Sequence, residues 1–133
     1  PVALKQYDHS QAQSLNAFIS EIESATFNSK LIRHPNIVQI LGAYQTNRNS
    51  FILTELSDHG NLLKVIKDQP QLSITTKIKA CIQILTSIQY LHSSLNTVHR
   101  DIKAENILVF AINPQRHSIL VKLCDFGISS KNF

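Results

Sequence analysis

Val98-His99-Arg100-Asp101-Ile102-Lys103-Ala104-Glu105-Asn106-Ile107-Leu108-Val109 is the stretch whose reading decides the fold. It sets two acids, a cluster of basic side chains and an amide between a helical pattern and a strand-like apolar run. Such a density of charge makes a poor core element, because buried charges without partners are strongly disfavoured. It makes a sensible loop for phosphoryl transfer, which needs a carboxylate near an incoming hydroxyl and an oxygen ligand for a metal.

Upstream, Ile74, Ile78, Cys81, Ile82, Leu85, Ile88 and Leu91 recur at helical spacing, with Ser73 placed to cap. This predicts one long helix over residues 73–93 with those residues as its buried face. Downstream, apolar runs at 107–112 and 119–124 flank Asn113-Pro114-Gln115-Arg116-His117-Ser118, which predicts a β-hairpin. Residues 37–44 and 51–56, around the polar Thr46 to Ser50 segment, predict another. Nearer the start, Val2-Ala3-Leu4 reads as a strand running into Lys5. Leu15, Phe18, Ile19, Ile22 and Ala25 follow at helical spacing, with Ser14 as the expected N-cap and His34-Pro35-Asn36 as the stop. A turn at Asp58-His59-Gly60-Asn61 precedes a short helix over residues 62–67 and is the natural joint between two halves.

The chain has 133 residues, 43% hydrophobic and 17% charged, which is enough apolar material for one globular core. Its formal charge of +4 comes from scattered basic residues, so no nucleic-acid partner is expected. No run of apolar residues is long enough to span a bilayer, so no membrane partner is expected and a cytoplasmic location is inferred. The two cysteines, Cys81 and Cys124, have no metal-ligand spacing and lie in apolar surroundings, which suggests buried free thiols. The six histidines form no HxxxH pair, so no zinc site is expected.

The opening string resembles the catalytic loop of eukaryotic-type protein kinases, matching H-R-D-x-K-x-x-N at every fixed position. Cys124-Asp125-Phe126-Gly127 resembles the D-F-G motif of the same family, and Val2-Ala3-Leu4-Lys5 resembles its V-A-x-K strand. Phe18-Ile19-Ser20-Glu21-Ile22 is similar to the F-x-x-E-[IV] helix segment, and Thr54-Glu55-Leu56-Ser57 to the gatekeeper and hinge. His34 to Gly42 is similar to the helix-to-strand passage of tyrosine-kinase-like and related Ser/Thr kinases. The resemblance implies a truncated bilobal α+β fold. Residues 1–56 would be part of the small lobe, 55–60 the hinge, and 61–133 part of the helical lobe through D-F-G.

It also implies roles. Asp101 would be the catalytic base, Lys103 would steady the transferred γ-phosphate, and Asn106 and Asp125 would hold magnesium. Lys5 would bind the α- and β-phosphates with Glu21 as its ion-pair partner. Glu21 sits about one helical turn early against His34-Pro35-Asn36, and Glu23 is the rival. Ala3 and Leu108 would enclose adenine, with Thr54 as gatekeeper and backbone groups of Glu55 and Ser57 at its edge. Phe126 would pack under the first helix, His99 would be structural, and Arg100 would bind a phosphorylated activation loop. The cofactors implied are ATP and Mg²⁺, and the partner a protein substrate with a Ser/Thr acceptor; oligomeric state is left open. The activity implied is that of a protein serine/threonine kinase. No G-x-G-x-x-G and no A-P-E occurs in the chain, so the stretch taken alone is expected to be poorly stable and inactive. A glycine-rich loop is expected upstream of Pro1. The alternative reading is a non-catalytic kinase-like fragment or pseudokinase acting as a binding module.

Overall fold

A computed structural model describes residues 1–24, 26–27, 30–31, 33–125 and 130–131. The elements run β1 (Val2–Asp8), α1 (Ala12–Ser24), β2 (Thr26–Phe27), β3 (Lys30–Leu31), β4 (Ile40–Gln45), β5 (Asn49–Glu55), α2 (Leu62–Asp68), α3 (Ile74–Leu95), β6 (Thr97–Val98), β7 (Ile107–Asn113), β8 (Ser118–Leu123) and β9 (Ser130–Lys131). This mixture of antiparallel sheets and helices is an α+β architecture.

β5 is the central strand of an antiparallel sheet in the order β1-β5-β4. Lys5 pairs with Ile52 and Tyr7 with Ser50 across it. The hairpin between β4 and β5 closes because Thr46 Oγ1 accepts from the Asn49 amide at 2.9 Å, an ST-type turn. Alternation along β1 sends Lys5 and Tyr7 to the face that α1 covers. Tyr7, Phe18, Ile40 and Ile52 form the small core there, with the Phe18 ring edge-on to Tyr7 at 5.7 Å.

The second core lies between α3 and the β7–β8 hairpin, with Val65 of α2 at its edge. α2 starts where Asn61 Oδ1 accepts from the Lys64 amide, and α3 where Ser73 Oγ accepts from Thr76. α3 ends on Asn96 at φ 49°, a left-handed cap that Asn tolerates. Gly60, at φ 74°, takes the turn before α2 that side chains resist. The two cores are stitched by backbone: Leu123 N donates to Asn36 O and Val38 N to Leu123 O, both at 2.9 Å. Asn36 Nδ2 adds bonds to Val121 O and to Gln83 on α3. Lys122 Nζ meets both oxygens of Glu55, at 2.6 and 2.8 Å, tying the end of β5 to β8.

Several expectations need correction. α1 begins at Ala12, so Ser14 lies inside the helix and is not its cap. The helix stops at Ser24, ten residues before His34, and β2 and β3 occupy part of the interval. The residues that displaced Glu21 from the motif spacing therefore do not lengthen the helix. The buried face of α3 is Thr76, Ala80, Ile84, Ser87, Leu91 and Leu95, whereas Ile74, Ile78, Ile82 and Leu85 are exposed. α3 is apolar on more than one side, and the side with small residues is the one that can approach the hairpin closely. Cys81 is consequently exposed and Cys124 half-buried, both as free thiols. Ala25, Phe126 and Gly127 lie outside the described residues.

Candidate active site

A cleft of about 370 Å³ opens between the β1-β5-β4 sheet and the β7–β8 hairpin. From the sheet side it is lined by Ala3, Leu4, Lys5 and Thr54, and from α1 by Glu21. Val38 and Ile40 line it as well, with Glu105, Asn106, Leu108, Cys124 and Asp125 on the hairpin side. Ala3 and Leu108 thus present apolar surface from two sides, a slot suited to a flat ring. Charged groups gather at one end.

Lys5 Nζ reaches Glu21 Oε2 at 2.6 Å and Asp125 Oδ1 at 3.2 Å, bridging two carboxylates distant in sequence. Glu21 is only 5% exposed, while Glu23 is on the surface of α1, so the ion-pair partner of Lys5 is Glu21. Burial alone would depress the Lys5 ammonium, but the hydrogen bond and charge of Glu21 outweigh it and hold its pKa above the ordinary lysine value. The hydroxyl of Tyr7 donates to the same Glu21 oxygen.

The loop before β7 is self-organised. Asn106 Nδ2 donates to Asp101 Oδ2 at 2.7 Å and to Asp101 O at 2.9 Å, and Lys103 Nζ reaches Asp101 Oδ2 at 2.7 Å. The Lys103 hydrogen bond, followed by that of Asn106, holds the Asp101 carboxyl below the usual carboxylate range, and Asp101 in turn raises Lys103. His99, 1% exposed, accepts from the Asp101 amide through Nδ1 and donates from Nε2 to Cys124 O. Burial depresses its pKa, so the ring is a neutral strut between the Asp101 loop and the segment carrying Asp125. Cys124 N donates to Asn106 O at 2.9 Å, a second tie between those segments. Burial pushes the Cys124 thiol up to about 12, so it stays protonated and unreactive. Arg100 and Asp125 both take left-handed backbone angles, φ 69° and 64°, flanking the site. For arginine this conformation is costly, and strain of this kind concentrates where side chains must be aimed.

Of the residues picked from sequence, Ala3, Lys5, Glu21, Thr54, Asn106, Leu108 and Asp125 line the cleft. Asp101 and Lys103 join through Asn106 and are not among the lining residues. Glu55 and Ser57 are not lining residues either. The Glu55 amide donates to Gln39 O and its carboxylate faces Lys122, while the Ser57 hydroxyl donates to Gly60 O and Val109 O. Sequence reasoning missed Leu4, Val38, Ile40, Glu105 and Cys124 as lining residues, and Tyr7 as a partner of Glu21. Tyr7 carried a usable signal, because two residues after Lys5 in a strand is the same face.

Among the described residues, no three His, Cys, Asp or Glu side chains cluster as a metal site, and no helix is long and apolar enough to cross a membrane. The family model for the protein kinase domain matches residues 1–132. A probable serine/threonine-protein kinase, fhkD, of Dictyostelium discoideum is 35% identical over 127 residues, covering 96% of this chain and 17% of the relative. A probable serine/threonine-protein kinase, zyg-1, of Caenorhabditis briggsae and the human hormonally up-regulated neu tumor-associated kinase are each 30% identical over 129 residues. Each of those two alignments covers 97% of this chain and 17% of the relative, so the chain spans about a sixth of the length of the proteins it matches. With Lys5, Glu21, Asn106 and Asp125 drawn from β1, α1 and the segments beside β7 and β8 into one cleft, and the family model matching nearly end to end, the chain belongs to the protein kinase domain family.

Proposed function

We propose that this chain is the catalytic core of a protein serine/threonine kinase that transfers the γ-phosphate of ATP to a serine or threonine hydroxyl. The observation that carries this reading is convergence: Lys5, Asn106 and Asp125, from three separated segments, line one cleft with Asp101 bonded to Asn106. On this reading residues 1–56 contribute to a small lobe, 55–60 form the hinge, and 61–133 contribute to the helical lobe. The Ser/Thr assignment is supported by Lys103 on Asp101 and by the names of the relatives.

The apolar slot between Ala3 and Leu108 takes the adenine, and Lys5 takes the α- and β-phosphates. Thr54, which lines the cleft from β5, serves as the gatekeeper. Backbone groups of Glu55 and Ser57 serve the adenine edge. Asn106 and Asp125 supply hard oxygen donors, which fit magnesium because that ion takes few protein ligands beside water and phosphate oxygens. Bound there, the ion would neutralise charge accumulating on the phosphates.

Asp101 accepts a hydrogen bond from the substrate hydroxyl and aims its oxygen at the γ-phosphorus. The new phosphorus–oxygen bond forms as the bond to the β–γ bridging oxygen breaks; the hydroxyl proton passes to Asp101 and ADP leaves. The low pKa of Asp101 keeps it charged for this orienting role, and Lys103 shields the charge of the transferring group.

The test is radiolabelled phosphate transfer by the full-length protein to a serine/threonine peptide library. Asp101→Asn should lower turnover by about 10²- to 10⁴-fold. Asp125→Ala should abolish it and Lys5→Met should lower it by misplacing the nucleotide. The stretch 1–133 assayed alone should show none. A folded full-length protein that neither binds Mg-ATP nor labels any peptide would shift the reading to a non-catalytic binding module.

A further inference from the structure

Tyr7 is the one buried phenol beside the charged end of the cleft, and the roles assigned above make no use of it. It follows Lys5 by two residues in β1, so both side chains project from the same face of the strand toward α1. On α1, Phe18 and Glu21 are three residues apart and share the opposing face. Tyr7 is 7% exposed; its ring packs edge-on against Phe18 and its hydroxyl donates to Glu21 Oε2. Lys5 Nζ bonds to that same oxygen at 2.6 Å and lies 5.3 Å from the centre of the Tyr7 ring. One carboxylate oxygen therefore holds two donors, one charged and one neutral.

We propose that Tyr7 is a positioning residue for nucleotide binding: its hydroxyl anchors the buried Glu21 carboxylate to β1, so that Glu21 keeps its place beside Lys5 while Lys5 shares its donors with phosphate. The proposal rests on the reading of Lys5 as the phosphate-binding lysine given above. Its logic is one of charge. A carboxylate as enclosed as Glu21 needs compensation at all times. Lys5 already divides its donors between Glu21 and Asp125, and a phosphate would claim a further share of them. An ammonium has three donors but a single position, whereas the phenol is held by its packing on Phe18 and does not move to the ligand. Burial and the neighbouring Glu21 carboxylate raise the Tyr7 pKa, so the hydroxyl remains a donor throughout the physiological range. Phenylalanine at this position would fill the same space without supplying that donor.

The experiment is a double-mutant cycle in the full-length protein, read as the dissociation constant of Mg-ADP by calorimetry and as KM for ATP and for peptide. Tyr7→Phe should weaken nucleotide binding by about tenfold, the scale of one hydrogen bond to a charged group, and leave KM for peptide unchanged. In a Glu21→Met background, which keeps the length but offers no oxygen, Tyr7→Phe should change nucleotide affinity by less than about twofold. An equal loss in both backgrounds would mean that Tyr7 acts through packing, and would overturn the proposal. No loss from Tyr7→Phe, where Lys5→Met and Glu21→Met each weaken binding, would also overturn it while leaving the reading of the site intact. If none of the three substitutions matters, the reading of the site itself fails. Should Tyr7→Phe not fold, 3-fluorotyrosine at position 7 retains the shape and alters only the strength of the donor. A change in affinity in the parent protein but not with Glu21→Met supports the proposal, and the same response in both refutes it.

Discussion

At the scale of single residues, His99 shows how a neutral side chain can organise charged ones. It is enclosed, accepts from the Asp101 amide and donates to Cys124 O, so it aligns the two segments that carry the acidic groups. Both bonds need the tautomer with the proton on Nε2, and a second proton on Nδ1 would break the bond to Asp101. Burial lowers the His99 pKa, and burial likewise lowers that of His34, which stacks on Tyr90 at 4.9 Å. For each, the unfolded state binds the proton more readily than the folded state. Stability contributed by these rings is therefore fully present above the unfolded value of about 6.5 and declines as pH falls below it toward the lower folded value. The melting temperature of the full-length protein should accordingly drop between pH 7 and pH 5. His99→Gln should give a shallower slope over that interval, with a lower melting temperature at pH 7; an unchanged slope would show that His99 does not titrate with unfolding.

At the scale of elements, the β7–β8 hairpin is the frame on which both halves are mounted. Its inner face fills the larger core, and its backbone at Leu123 clasps the Asn36–Val38 segment. Lys122 extends from the same strand to Glu55 and lies 4.5 Å from the centre of the Phe110 ring. Glu55 Oε1 also accepts from the Gln39 amide at 2.7 Å, so one carboxylate joins β5, β8 and the approach to β4. Lys122→Met retains the packing on Phe110 and removes the charge, leaving a half-buried carboxylate that still accepts from the Gln39 amide. The expected cost is roughly 1–3 kcal/mol in urea denaturation. Glu55→Gln combined with Lys122→Met should recover part of that loss, because no charge is then left uncompensated.

At the scale of the molecule, the outer side of α3 is the conspicuous feature. Ile74 is 70% and Leu85 63% exposed, and a groove of about 590 Å³ runs from α2 past Cys81 and Leu85 to Ile102. Contiguous apolar surface of this kind promotes association when it is left open to water. The stretch 1–133 prepared by itself should self-associate at micromolar concentration in sedimentation velocity. Ile78→Lys together with Leu85→Lys should suppress that association with no loss of helical circular dichroism. Persistence of the association in the double variant would place the sticky surface elsewhere.

The existence and order of the longer elements were legible in the residues, because amphipathic period, turn chemistry and caps are local properties, whereas the two-residue strands β2, β3, β6 and β9 are too short to leave a period. The long helix after Ser73, both hairpins and the short helix after Asn61 come from such signals. The family was legible as well, since fixed side chains at fixed spacing in a loop serve chemistry and not packing. Other features required the folded chain. Which side of α3 is buried depends on what it packs against, and Thr76, Ala80 and Ser87 win over larger residues because the hairpin approaches closely there. The choice of Glu21 over Glu23 depends on the rotation of α1 above β1, which spacing to His34 could not report because the interval holds β2 and β3 rather than further helix. The meeting of Tyr7 and Lys5 on one oxygen belongs to the same class. Local sequence determines what a segment becomes, while the partner of a buried charge is decided only when two segments close on the same volume from which water is excluded.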